Sequence, residues 1–170
     1  GCMVVEVKIK GMEDFSQKIE NLSSNRTVKR IARKASRQAM NVVRDAARSN
    51  AKMIDAGYTS EQIWKNIVTQ GGKSRNSNEV KFRVGVKTGP EFWRMNKGMF
   101  RKQGGNTVRL KSPYYTYIPN DTRDWWLIEF GTIKTKAQPF MTPALENNID
   151  SATSKFAEVF NAEIDKELAP

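Results

Sequence analysis

The run TVKRIARKASRQAMNVVRDAARSNAKM, Thr27 to Met53, decides the fold. Within it Val28, Ile31, Ala35, Ala39, Val42 and Ala46 recur every three or four residues, and no proline interrupts them. This is the period of one face of an α-helix, here roughly 40 Å long at about 1.5 Å per residue. Alanine dominates the stripe, so another element can approach closely. Arg30, Arg33, Arg37, Arg44 and Arg48 follow the same period on a different face. Asp55-Ala56-Gly57 stops the helix.

Before the helix, Val5 to Lys10 alternates apolar and polar residues, the mark of a strand with one wet face. Gly11 ends it, and Met12, Phe15, Ile19 and Leu22 are spaced for a short amphipathic helix. After the long helix, Thr59 and Gln62 have capping-box spacing for a short helix from Ser60 to about Asn66. Ile67 to Gln70 reads as the start of a strand, and the Gly71–Asn78 stretch as a flexible loop. Val80, Phe82, Val84 and Val86 alternate with Lys81, Arg83, Gly85 and Lys87, the clearest strand in the chain. Tyr114–Ile118 and Trp125–Phe130 read as further strands. Thr142 as N-cap and Pro143 in the first turn then open a terminal helix, whose buried face is Leu145, Ile149, Ala152, Phe156, Val159 and Phe160. Helices and strands are segregated along the chain. The expected class is therefore α+β, with the long helix and the C-terminal helix packed on a small antiparallel sheet.

With 170 residues the chain fits one domain, long enough to bury a core without staples. Gly1 and Cys2 precede Met3 and read as an expression scar, leaving a single domain over residues 3–170. Cys2 is the only cysteine, so no internal disulfide is possible. There is no histidine. The commonest metal ligands, thiol nucleophiles and near-neutral proton shuttles are thus missing, and the carboxylates do not cluster at a catalytic spacing. No enzyme, cofactor or metal is expected. No apolar run approaches the roughly 18 residues of a membrane span, and the first residues do not show a signal-peptide pattern. A cytoplasmic origin is expected.

The formal net charge is +11 and it is unevenly distributed. Residues 26–52 carry nine bases against one acid, Asp45, whereas residues 143–170 carry two bases against six acids. Such asymmetry suits a nearby polyanion or complementarity between subunits. The arginine stripe reads as a phosphate contact, a face for an acidic partner or subunit, or a merely solvated helix face. An ordinary solvated face mixes its signs for i,i+4 pairing, and this one does not. A second basic group lies in the glycine-containing stretch at about 88–113, where Arg94, Lys97, Arg101, Lys102, Arg109 and Lys111 mix with Phe92, Trp93 and Phe100. Bases among aromatics can stack and hold a single nucleic-acid strand. They can equally anchor a protein interface, with Trp93 as hot spot, or fold back onto the core. Gly71-Gly72-Lys73-Ser74 lacks the earlier glycine and the following apolar helix of a phosphate loop. Trp125 and Trp126, adjacent on a strand, would face opposite ways, with one in the core.

One further stretch carries a resemblance. Trp126-Leu127-Ile128-Glu129-Phe130-Gly131-Thr132 is followed by Ala137-Gln138-Pro139-Phe140-Met141-Thr142-Pro143-Ala144-Leu145-Glu146. This resembles the signature of the tail-completion, or neck, family of lambda-like siphophages: an aromatic, an apolar pair, Glu-Phe-Gly-Thr, a short insert, then Pro-Phe, two variable residues and Pro-Ala-Leu. The opening strand, Gly11, short helix and long helix rich in Ala, Val and Arg agree with it. The chain departs from the family at Asp55–Ile63, where members often carry a proline and then Thr-Gly-X-Leu, and in its longer basic loop.

The resemblance implies a structural virion protein of a tailed bacteriophage. It implies a homo-oligomeric ring, commonly a hexamer, stacked between the head-connector and the tail-terminator or tail-tube proteins. Genomic DNA would pass through the lumen, and the chain would occupy the host cytoplasm during assembly. In that setting Arg30, Arg33, Arg37, Arg44, Arg48 and Trp93 are expected at a subunit or partner interface, with acids such as Glu158, Glu163 or Asp165 of a neighbour opposite the arginines. Lys97, Arg101, Lys102, Arg109 and Lys111 are expected to meet DNA or a partner ring. Glu129, Phe130, Gly131, Thr132, Pro139, Phe140 and Pro143 form the structural motif, with Gly131 ending a strand and Phe140 in the core. The alternative reading is a sequence-nonspecific nucleic-acid-binding protein that uses its basic helix and loop.

Overall fold

A computed structural model describes residues 5–6, 25–54, 63–76, 79–87, 100–109, 122 and 124–170 of the chain. Its longest element is α1, Asn25–Met53, the helix expected from the periodicity. The buried side chains differ in detail from the expected stripe. Ile31, Ala35, Ala39, Val43, Ala47 and Ala51 are buried, while Val28, Val42 and Ala46 are only half-buried. These buried residues stand four apart. Four residues turn a helix by about 400°, so each step moves the apolar face on by about 40°. The face winds around α1, which allows one helix to serve both the sheet and the terminal helix.

Among the described residues the sheet has three antiparallel strands in the order β1-β3-β2: β1 is Val5–Glu6, β2 Ile67–Gly72 and β3 Lys81–Val86. In the register Val84 lies between Val5 on one side and Thr69 on the other. Phe82, Val84 and Val86 are buried and Arg83 is exposed, the expected alternation of a sheet with one covered face. Before β2 runs the short helix α2, Ile63–Asn66. The expected loop at 71–78 is corrected at its start, because Gly71 and Gly72 pair with Phe82 and Lys81 as the last residues of β2. Cross-strand pairing overrides the low strand preference of two glycines.

The basic stretch at 88–113 is likewise more than a loop. β4, Phe100–Gln103, and β5, Asn106–Arg109, form a hairpin with Phe100 opposite Arg109 and Arg101 opposite Val108. Gly104 and Gly105 make its two-residue turn with φ of 58° and 83°. Positive φ at both central residues is what a tight hairpin of right-twisted strands requires. The expected helix at Met12–Leu22, the capping pair Thr59 and Gln62, and the expected strand Tyr114–Ile118 fall outside the described residues.

Two corrections concern the C-terminal third. Trp125–Phe130, expected as a strand, is a helix, α3. Its i,i+4 pairs divide cleanly: Trp125 and Glu129 are buried, Trp126 and Phe130 are exposed. The terminal helix is two helices, α4 at Met141–Glu146 and α5 at Ile149–Leu168, joined through Asn147 and Asn148. Thr142 lies inside α4, and Phe140 occupies the cap position.

The architecture is α+β. α1 lies against β2 and β3 and against α4 and α5. Phe140, Phe160, Ile164, Ile31, Val43, Ile67 and Val84 are fully buried where these layers meet. The rings of Phe156 and Phe160 stack at 5.3 Å, and Trp125 meets Phe140 edge-on at 5.9 Å. Leu145, expected in the core, is partly buried against it. Phe140→Ala should therefore cost about 3–5 kcal/mol, since the cavity lies between packed helices that cannot easily collapse. Urea unfolding measures this directly, and an unchanged midpoint would mean that the ring packs elsewhere.

Candidate interaction surfaces

The motif at residues 126–146 is organised by one side chain. Glu129 is 3% exposed. Its Oε2 accepts from the backbone N–H of Phe140 at 2.8 Å and of Met141 at 3.0 Å. Its Oε1 accepts from the Thr142 N–H and from the Thr142 hydroxyl, both at 2.8 Å. The first turn of a helix has backbone donors with no partner inside the helix. Here a carboxylate eleven to thirteen residues away caps α4 in place of a local side chain, and its negative charge suits that end of the helix. The Thr142 hydroxyl, expected as the cap, is held by the same carboxylate.

Gly131 makes this possible by ending α3, not a strand, at φ 72° and ψ −179°, a corner of backbone space that essentially only glycine occupies. A Cβ there would lie 2.7 Å from the Ala137 nitrogen and 2.8 Å from the Thr135 oxygen. A side chain at Gly131 would therefore run into the backbone of the turn that follows. The chain then makes a tight turn from Thr132 to Thr135. Thr132 N–H donates to Thr135 O at 2.9 Å, and Thr132 Oγ1 accepts from Lys134 N–H at 3.2 Å and Thr135 N–H at 3.0 Å. Gln138 N–H closes the loop onto Ile128 O at 2.8 Å. Pro139 then leads the chain into Phe140. On the other side, Asn50 of α1 donates to Phe140 O at 3.2 Å. Pro143 is half-buried in α4, and Phe130 stays outside the core.

The arginine stripe of α1 does not form one continuous surface. Arg48 donates through Nε and a terminal guanidinium nitrogen to Ile67 O, at 2.9 and 2.7 Å, and so ties α1 to β2. The Arg37 guanidinium lies 5.5 Å from the Phe82 ring centre, over β3. Arg44 pairs with Asp45 at 2.8 Å. Arg30 pairs with Glu167 of the same chain, and Lys34 with Glu163 at 2.5 Å. The complementarity between long helix and terminal helix is thus met, at Glu163 and Glu167, within one chain. Of the five arginines, Arg33 is exposed with no partner among the described residues.

Arg101, Lys102 and Arg109 fall in the β4–β5 hairpin, whereas Trp93, Lys97 and Lys111 lie outside the described residues. Trp125 is buried and Trp126 is half exposed, so one tryptophan of the pair is in the core as expected, although on a helix. Sequence reading missed that Trp126 and Phe130 on α3, and Ile133 in the 132–135 turn, all stand exposed. The i,i+4 spacing of the two aromatics was the available signal. Among the described residues no group of three or more His, Cys, Asp or Glu is placed to hold a metal ion, and no helix is long and apolar enough to cross a membrane. No family model, curated protein or solved structure matches the chain.

Two outcomes follow from this geometry. Glu129→Ala would leave three backbone N–H groups and a hydroxyl without their acceptor, at about 1–3 kcal/mol for each one that water cannot reach, so a loss of roughly 3 kcal/mol or more is expected. Glu129→Gln keeps the shape but turns an NH2 donor toward other donors, and thermal unfolding should find it little better than alanine. Full recovery by Gln would mean that packing, not capping, is the role of Glu129. The second outcome concerns pH. The Lys34 ammonium hydrogen-bonded to Glu163, helped by Lys166, holds the Glu163 carboxyl below its ordinary value. A depressed carboxyl stabilises the fold above the unfolded-state value, and the contribution is lost as pH falls through the folded-state value. Wild type should therefore exceed Glu163→Gln in stability near about pH 7, and the gap should close on acidification to about pH 3. A gap that persists in acid would assign the effect to something other than this ion pair.

Proposed function

We propose that this chain is a structural, non-catalytic subunit of a tailed bacteriophage, forming a ring at the head–tail junction. The observation that carries the reading is the hydrogen-bonded unit centred on Glu129. The residues that carry the resemblance to the tail-completion or neck family, Glu129, Gly131, Pro139, Phe140 and Pro143, act in this chain as one local device. Glu129 caps α4, Gly131 permits the turn, Pro139 leads into it and Phe140 fills the core beneath. A motif whose parts depend on one another in this way is a poor candidate for coincidence of composition. The order of long helix, antiparallel sheet and terminal helix agrees with it.

In this reading the chain meets copies of itself in a closed ring, commonly of six, between the head-connector and the tail-terminator or tail-tube proteins. DNA passes through the lumen, and a conduit needs positive charge without base readout, because any sequence must slide through. Arg101, Lys102 and Arg109 of the hairpin, with Lys97 and Lys111, are the bases proposed to face DNA or the adjoining ring. The site of action is the virion neck, reached from the host cytoplasm during assembly. The alternative, a free nucleic-acid-binding protein using the α1 stripe as a phosphate rail, is disfavoured because Arg30, Arg37 and Arg48 are engaged within the chain.

The test is genetic and visual. A phage whose copy of this gene is interrupted should produce filled heads and separate tails, seen by electron microscopy, with infectivity restored by the gene in trans. Reversing Arg101 and Lys102 to glutamate should leave the subunit folded but impair joining. Undiminished infectious particles lacking the chain would overturn the reading.

A further inference from the structure

Leu145, Ile149, Ala152, Phe156 and Phe160 keep helical spacing straight through the joint between α4 and α5. The fold nevertheless breaks there, and Ile149 is left 45% exposed while Ala152, Phe156 and Phe160 are buried. No glycine or proline occurs from Ala144 to Leu168 to force a break. The hydrogen bonds show how small it is. Asn147 N–H donates to Pro143 O at 3.0 Å and Ala152 N–H to Asn148 O at 2.9 Å, both with the spacing of an unbroken helix. Asn147 keeps a right-handed helical backbone, whereas Asn148, at φ −126° and ψ 13°, does not. The Asn148 N–H donates to Leu145 O at 3.0 Å, and its side-chain Nδ2 donates to Ala144 O at 2.8 Å. In an unbroken helix Ala144 O would accept the N–H of that same residue. One side-chain amide therefore stands in for one backbone amide, and exchanging them straightens the joint.

Straightening brings gains of its own. The Asn148 side chain gives the start of α5 no cap, and first-turn N–H groups have no partner within their own helix. In one continuous helix the N–H groups of Ile149, Asp150 and Ser151 would meet the carbonyls of Leu145, Glu146 and Asn147. Ile149 would fall in line with Leu145 and Ala152. What opposes the change is the inner side of α5. It would carry Phe156, Phe160 and Ile164 away from the core, and part Glu163 and Glu167 from Lys34 and Arg30 of α1. Phe160 and Ile164 are fully buried and too apolar to be left in water. A second α1 can receive them, lined with alanine for close approach and carrying Arg30 and Lys34 at matching places. Every other copy of the chain has that surface, and a copy that extends its own α5 leaves it open.

We infer that α4 and α5 join into one helix through Asn148 when copies meet, and that α5 of each copy packs on α1 of the next. Each contact given up at home is regained on the neighbour, which is why exchange of an identical element is a low-cost route to assembly. Passed head to tail, such an exchange either closes into a ring or continues as a filament. It rests on the ring proposed above and supplies the contact between its members.

Sedimentation velocity of the full chain over a range of concentrations tests it. Wild type should form larger species as concentration rises. Asn148→Ala and Asn148→Gly both lose the amide bond to Ala144 O, so they differ in helix preference at the joint. Alanine should favour association over glycine by about fivefold for each joint straightened, with both variants keeping the wild-type circular dichroism. A charge exchange then identifies the surfaces. Arg30→Glu with Lys34→Glu, and Glu163→Lys with Glu167→Lys, each set like charges across the contact of α1 with α5. Both variants remain net basic, so attraction between them can only be local. Mixed, they should form joint species roughly ten times as abundant as those of either alone, because like charges across an interface are penalised. Wild type that stays monomeric throughout, equal association of the two Asn148 variants, or a mixture without joint species would each overturn the inference, the last by placing the contact between copies elsewhere. The ring's place in the virion is read separately. A chain found at the junction while pure protein fails these tests removes the exchange and leaves that role standing. A chain that exchanges α5 yet is absent from particles does the reverse.

Discussion

The C-terminal third of this protein depends on a carboxylate that has been taken out of water. Four donors surround Glu129, three of them backbone N–H groups at the start of α4. Buried polar groups are tolerated only when satisfied, and that requirement reaches outward in both directions along the chain. Upstream, α3 turns Trp125 and Glu129 inward together and leaves Trp126 and Phe130 outside. Downstream, the chain must double back so that Phe140, Met141 and Thr142 present their N–H groups together, which demands the sharp departure at Gly131. Asn50 then ties the carbonyl of Phe140 to the middle layer. A loop of ordinary appearance becomes as determined as a strand.

How much of this could be read in the sequence depended on whether the deciding interaction was local. The long helix was legible because its stripe is uninterrupted, and β3 because its alternation is strict. Phe140 and Gly131 were legible through the motif. Trp125–Phe130 was misread because aromatic and branched residues fill both its faces, so neither a period of two nor of 3.6 stands out. The buried acid that breaks the tie looks, in sequence, like a residue for the surface. The start of α4 was misplaced for a related reason: local rules seek a cap beside the helix, and this cap comes from Glu129. Gly71 and Gly72 read as flexible loop, and Gly104 and Gly105 as parts of a long basic connection. The first two pair in β2, and the last two make the kind of turn that joins adjacent strands most tightly.

The arginines of α1 carry a more general lesson about charge. Five arginines at one period invite the reading of a single electrostatic surface. In the fold they go to a carbonyl of β2, the face of a phenylalanine, an adjacent aspartate, a terminal-helix glutamate and open water. The planar guanidinium suits each of these different partners. What a chain offers to others is the remainder after such internal commitments, and a net charge of +11 overstates the share of it that α1 presents.

The winding apolar ladder of α1 has a consequence for how the chain is made. One part of that ladder is covered by the sheet and another by α5, which begins 96 residues after α1 ends, at Ile149 against Met53. Ribosomes add about 5–20 residues each second, so for roughly 5–20 s the nascent chain carries a completed amphipathic helix whose final cover has not been synthesised. Alanine is the least adhesive residue with which such a waiting surface can be built, because its side chain exposes the least apolar area. The abundance of alanine on α1 thus serves two moments: close approach once α5 arrives, and quiet solubility before it does.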